Sequence, residues 1–150
     1  MKKNILLLLV IMVIIVSIFF AKYIEFNQKK GIVREFNLYY HKFNKDDLIG
    51  LDIVSVINKA MNENEINEVY KDDAGYYNPD DNRSIIIYVD LTKEDDKNDD
   101  FKVFRMERIV QVGMDSFVRL FGNVKFKCTK VNMHKDTGRI ASMIFEAKKY

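Results

Sequence analysis

Four oxygen-bearing residues have the spacing of a calcium loop. Asp96, Asn98 and Asp100 occupy positions 1, 3 and 5, and Glu107 falls at position 12. Hard cations take such carboxylate and amide oxygens because those donors are small and hard. Position 6, where a sharp turn needs glycine, is Phe101. The bland reading is a solvated acidic loop, since carboxylates crowd residues 94–100. Nucleophile chemistry has fewer candidates. The chain has one cysteine, Cys128, and two histidines, His41 and His134. There is no Gly-x-Ser-x-Gly, no Ser-x-x-Lys and no His-Glu-x-x-His. A phosphate loop and a dinucleotide fingerprint are also missing, so no cofactor is expected. Cys128 sits on an alternating face and reads as an inert buried thiol. A Cys128–His134 pair across a strand end is the alternative.

The first element that must position anything is the run from Ile5 to Ala21. It holds seventeen residues without a charge, and only Ser17 is polar. As a helix it covers about 25 Å, and about 30 Å if it continues to Ile24 with Lys22 snorkelling. That length spans a bilayer. A soluble core helix would carry a polar stripe, and this run has none. Residues 1–24 are therefore expected to be a transmembrane signal anchor in contact with the lipid bilayer. Lys2 and Lys3 precede the run, which places the N-terminus in the cytoplasm and the remainder outside. The competing reading is a cleaved secretory signal. Cleavage needs small residues at −3 and −1, and Phe19 and Ile15 occupy −3 relative to Ala21 and Ser17.

Residues 25–45 are expected to form a juxtamembrane stalk helix. Ile32, Phe36, Tyr39, Tyr40 and Phe43 recur at helical spacing, and Gly31 is the one hinge candidate. The aromatic stripe suits packing against the protein's own sheet. Residues 46–150 make one ordinary domain. Asn44 to Asp47 offer caps for a helix carrying Ile49, Ile53, Val56, Ile57 and Ala60 on one face. Val69-Tyr70 and Tyr76-Tyr77 suggest short strands between turns. Ser84 to Leu91 reads as a central strand. Phe101 to Phe121 reads as one amphipathic helix, with Arg108, Gln111, Asp115 and Arg119 on its polar side. A hairpin closes the chain, turning at residues 134–138. The expected class is α+β, with a small antiparallel sheet and two packed helices.

The net charge of +2 conceals a split. Residues 1–45 carry 8 basic and 2 acidic groups, residues 46–100 carry 5 and 16, and residues 101–150 carry 11 and 4. Neutralisation within one head is the simple reading. The other is a homo-oligomer in which acidic and basic surfaces of neighbours meet. The basic end, with Phe126 and Tyr150, has some character of a nucleic-acid binder. An exterior location argues against nucleic acid and for an anionic envelope polymer, a lipid headgroup or an envelope protein as partner.

Three stretches together resemble small, mostly uncharacterised signal-anchored proteins of low-GC Gram-positive bacteria. They are Gly50-Leu51-Asp52-Ile53-Val54-Ser55-Val56-Ile57-Asn58-Lys59-Ala60, then Phe126-Lys127-Cys128, then Gly138-Arg139-Ile140-Ala141-Ser142-Met143-Ile144-Phe145. The outline of basic N-terminus, apolar helix, stalk and sheet-bearing head is also similar to a type IV pilin or pseudopilin. The chain departs from that family in two ways. It has no Gly-Phe-Thr-Leu-Ile-Glu processing site, and no Glu five residues into the apolar run. The function expected is a non-catalytic binding or assembly component of the envelope. The alternatives are a pilin-like subunit and a membrane-anchored enzyme with no recognisable motif.

Overall fold

The computed structural model describes residues 2–91 and 103–148. The chain forms two compact units, Met1–Glu35 and Phe36–Tyr150. The first belongs to helix α1, Lys2–His41, which runs unbroken through Gly31. Its side chains from Leu7 to Phe20 are exposed on every side, and none of the apolar stretch is buried. By length and composition this helix is able to cross a membrane. The one polar side chain between Ile5 and Ala21 is already satisfied. Ser17 Oγ donates to the Val13 carbonyl at 2.8 Å, so no hydroxyl is left unpaired on an apolar surface.

The second unit is α+β. After α1 come β1 (Leu48–Ile49), α2 (Gly50–Ile66), β2 (Ile86–Asp90), β3 (Val103–Arg105), α3 (Met106–Val112), α4 (Met114–Phe121), β4 (Lys125–Met133) and β5 (Ile140–Ala147). The strand order is β1-β4-β5-β2-β3. The expected hairpin is present as β4 and β5, with bulges beside Cys128 and Asn132. The expectation of a purely antiparallel sheet needs correction. β2 and β5 pair in parallel, with Ile87 opposite Met143 and Val89 opposite Phe145. The chain leaves β2, passes through α3 and α4, and returns to lie beside it. A connection of that length is what parallel neighbours require.

Sequence periodicity also misplaced two helix boundaries. The proposed caps at Asn44 to Asp47 precede β1 instead, and α2 begins at Gly50. The Ile49 N–H donates to Asp52 Oδ2 at 2.9 Å, half of a capping box. The next two donors are satisfied by distant carbonyls. Gly50 N–H bonds to Val124 O at 3.0 Å and Leu51 N–H to Gly122 O at 3.2 Å. The stretch expected as one helix to Phe121 is a strand and two helices. Gly113, at φ 114°, breaks it in a backbone region that favours glycine. The two short strands expected near Tyr70 and Tyr77 reduce to a single bridge, Lys71 to Tyr77. Asp72 closes that turn by accepting the N–H groups of Ala74 and Tyr76.

Two asparagines fasten helices to strands by copying strand hydrogen bonding. Asn64 is fully buried on α2. Its amide donates to Ile85 O and accepts from Ile85 N–H, both at 2.8 Å. Asn37 does the same near the end of α1, donating to Gly138 O at 2.8 Å and accepting from Ile140 N–H at 2.9 Å. The aromatic stripe belongs to this junction. Tyr40 and Phe43 are buried, and Phe36 and Tyr39 pack against the core. Arg139 lies over the Phe36 ring at 4.1 Å.

At Gly50 the backbones of α2 and α4 approach each other closely. A Cβ on Gly50 would lie 1.9 Å from Phe121 O and 2.6 Å from its carbonyl carbon. Neither atom belongs to a flexible side chain, so one backbone segment would have to move. We expect Gly50→Ala to lower unfolding stability by about 1–3 kcal/mol, the range for overpacking a close contact. Chemical denaturation of the full chain checks this. An unchanged midpoint would mean that α2 and α4 slide apart freely.

Candidate functional site

The site is built where β3 runs into α3. Arg105, the last residue of β3, and Glu107, in the first turn of α3, form a buried ion pair. Arg105 Nη2 donates to Glu107 Oε1 at 2.7 Å and its Nε to Oε2 at 3.2 Å. Glu107 is 2% exposed, so its charge needs every donor available. Tyr77 N–H is the third, at 3.0 Å. The same guanidinium donates to Tyr77 O at 2.8 Å and lies over the Tyr76 ring. Gln111 adds a second tie by donating to Ala74 O at 3.0 Å. The start of α3 is thereby fixed to the turn at residues 72–77.

Beyond this clamp, α3 bends at Gly113 into α4. The bend opens a slot of about 140 Å³. Its lining runs from buried Ile109 and Phe117, through half-buried Leu91 and Phe104, to exposed Val112 and Leu120. Val112 is 62% exposed and Leu120 66%. These are large apolar side chains left in water around a concave apolar surface. Arg108 also lines the slot. On its other side lies a wider hollow of about 420 Å³, which Arg108 and Phe104 share with Asp72, Tyr76, Val103 and Arg105. Arg105 is committed to Glu107. Arg108 is exposed and makes no ion pair among the described residues. The arrangement suits an apolar group held beside a negative charge. Of the described residues lining the slot, only Arg108 is charged and only Ser116 carries a hydroxyl.

Of the chemistry-bearing residues singled out from the sequence, Glu107 lies in this clamp, while His41, His134 and Cys128 line neither the slot nor the hollow. Asp96, Asn98 and Asp100 lie outside the described residues, as do Asp95 and Asp99. Glu107, their position-12 partner, has both oxygens engaged by Arg105 and Tyr77. His41 is exposed near the end of α1. His134 Nε2 lies 2.8 Å from Ser84 O, tying the hairpin turn to the segment before β2. Cys128 lies within β4 and His134 just past its end, and each has another partner, Cys128 Sγ the Lys130 carbonyl and His134 Nε2 the Ser84 carbonyl, so the two form no pair. Cys128 is half-buried rather than buried, because the bulge beside it disturbs the alternation. Comparison with known protein families, curated proteins and solved structures gives no match.

The slot is hidden in the sequence for a definite reason. A single helix over Phe101 to Phe121 puts Ile109, Phe117, Leu120 and Phe121 on one face and Arg108 on the opposite one. Gly113 inside that pattern was the available signal.

Burial pushes the Cys128 thiol pKa up, with a smaller opposing effect from its contact with Lys130 O. The thiolate is the reactive form, so a raised pKa leaves less of it at neutral pH. A water-soluble thiol reagent should label the folded protein more slowly than the denatured chain. The folded-state rate should keep rising with pH past the point where a free cysteine has titrated. Equal rates in both states would place Cys128 in full contact with solvent.

Proposed function

We propose that the protein is a single-pass, membrane-anchored component of the bacterial envelope that binds or assembles rather than catalyses. In this reading the N-terminus is cytoplasmic, and the domain after the anchor is extracytoplasmic. The observation that carries it is the apolar slot beside Arg108, which makes no ion pair among the described residues, on a chain whose first helix is long and apolar enough to cross a bilayer. An apolar concavity rimmed by exposed Val112 and Leu120 is the kind of surface a partner covers. The orientation follows from Lys2 and Lys3 ahead of the apolar run. The absence of the common nucleophile and phosphate-loop motifs from the sequence supports a binding role.

The protein is expected to sediment with membranes through high-salt and alkaline washes and to need detergent for release. Protease added to intact protoplasts should digest the domain beyond residue 36 and spare a short N-terminal fragment. A soluble form beginning near Lys22 would overturn the anchor. Full protection of the domain would reverse the orientation.

A further inference from the structure

We propose that the slot receives the C-terminal end of α2 from a second copy of this chain. This rests on reading the slot as a docking site, and it names the occupant. The end of α2 carries the complementary features. Ile66 is 68% exposed and Tyr70 67%, two large apolar side chains projecting from an otherwise polar stretch. Glu65 and Glu68 stand beside them, both exposed. The Glu68 carboxylate makes no hydrogen bond or ion pair among the described residues, and Arg83, the cation whose field it contributes to, is held by Asp81 at 2.7 Å. Among the described residues Glu65 uses only Oε1, toward Lys71 at 3.3 Å and the Tyr77 hydroxyl at 3.4 Å.

The backbone adds a separate observation. Glu68 has φ 52°, and among the described residues it is the one non-glycine residue at positive φ. L side chains rarely adopt this conformation, and residues held in it cluster where function exacts it. Its effect here is local. The turn closes through Glu68 N–H to Glu65 O at 3.0 Å and Val69 N–H to Asn64 O at 2.9 Å. Val69 goes into the core, while Ile66 and Tyr70 stay outside.

Size and charge both match. An apolar cavity of about 150 Å³ accommodates a benzene-sized group. The slot, at about 140 Å³, therefore accepts one isoleucine side chain or one ring. Arg108 supplies the cation that Glu65 or Glu68 would meet. Within one copy the two features stand apart: neither Ile66 nor Tyr70 is among the described residues lining the slot, and both stay exposed. Repeated in one direction the contact runs head-to-tail, and made reciprocally it closes a two-fold pair. One knob and one slot make a weak contact. Anchoring in a shared membrane raises the effective concentration at which it operates.

The test places the photoreactive residue benzoylphenylalanine at Leu120 of the full-length chain, with irradiation in the membranes of the expressing cell. The expected product is a two-copy adduct whose crosslinked peptide contains residues 66–70. It should form roughly fivefold to tenfold less in Arg108→Glu and in the Glu65→Lys/Glu68→Lys double variant, as suits a partly exposed charge pair turned into a like-charge contact. Combining the substitutions should restore it, which a merely misfolded variant would not do. An adduct with a different protein or with lipid would overturn the second copy as occupant and leave the slot a docking site. A two-copy adduct at another peptide would overturn the proposal too. Absence of any adduct would overturn both the occupant and the docking reading.

Discussion

A carboxylate withdrawn from water is stable only where donors replace the water it has lost. Glu107 meets that demand with the Arg105 guanidinium and the Tyr77 N–H. Three separate parts of the chain converge through those bonds: edge strand β3, the first turn of α3, and the turn at residues 72–77. The rest of this end of the domain follows. With α3 fixed at its start, Gly113 sets where the chain bends, and Phe121 is stopped against Gly50. The slot is the space left between those fixed points. Arg105 is consumed by the clamp, and Arg108, three residues farther on, has no ion-pair partner among the described residues.

Much of the architecture was legible because it is written in short-range pattern. The uncharged first run marks α1, the spacing of Ile53, Val56, Ile57 and Ala60 marks α2, and the apolar run at Ile85 to Val89 marks β2. The α+β class followed from their order. What escaped was nonlocal or hidden by phase. Parallel pairing of β2 with β5 depends on where the chain returns, which no local period encodes. The bend at Gly113 leaves apolar residues on both sides in the same helical phase, so a moment along the sequence cannot detect it. Arg105 and Glu107 stand two residues apart. Within a helix they would point away from each other, and they meet only because a strand becomes a helix between them. Cys128 looked buried because alternation was carried through a bulge that local pattern does not reveal.

The two asparagine clamps suggest how the domain tolerates so few regular connections. Asn64 and Asn37 each satisfy a donor and an acceptor at the margin of the sheet, where strand neighbours are missing. The second of them ties the last turns of α1 to the hairpin, so the helix that includes the apolar run also contributes to the core through Tyr40. In the proposed function, the same helix then sets location and helps to hold the domain that does the binding. Charge follows a similar economy. The acidic middle of the chain supplies Glu65 and Glu68, and the basic end supplies Arg108, so the split read from composition acquires two specific surfaces.

The central claim is that these two surfaces meet between copies held in one membrane. Hydrogen exchange measures it most directly, comparing the full chain in nanodiscs that hold one copy with proteoliposomes at high surface density. The account predicts slower exchange at high density in two segments together, residues 66–70 and residues 108–120, with the remainder of the domain unchanged. Identical exchange at both densities, or protection of one segment without the other, would contradict it.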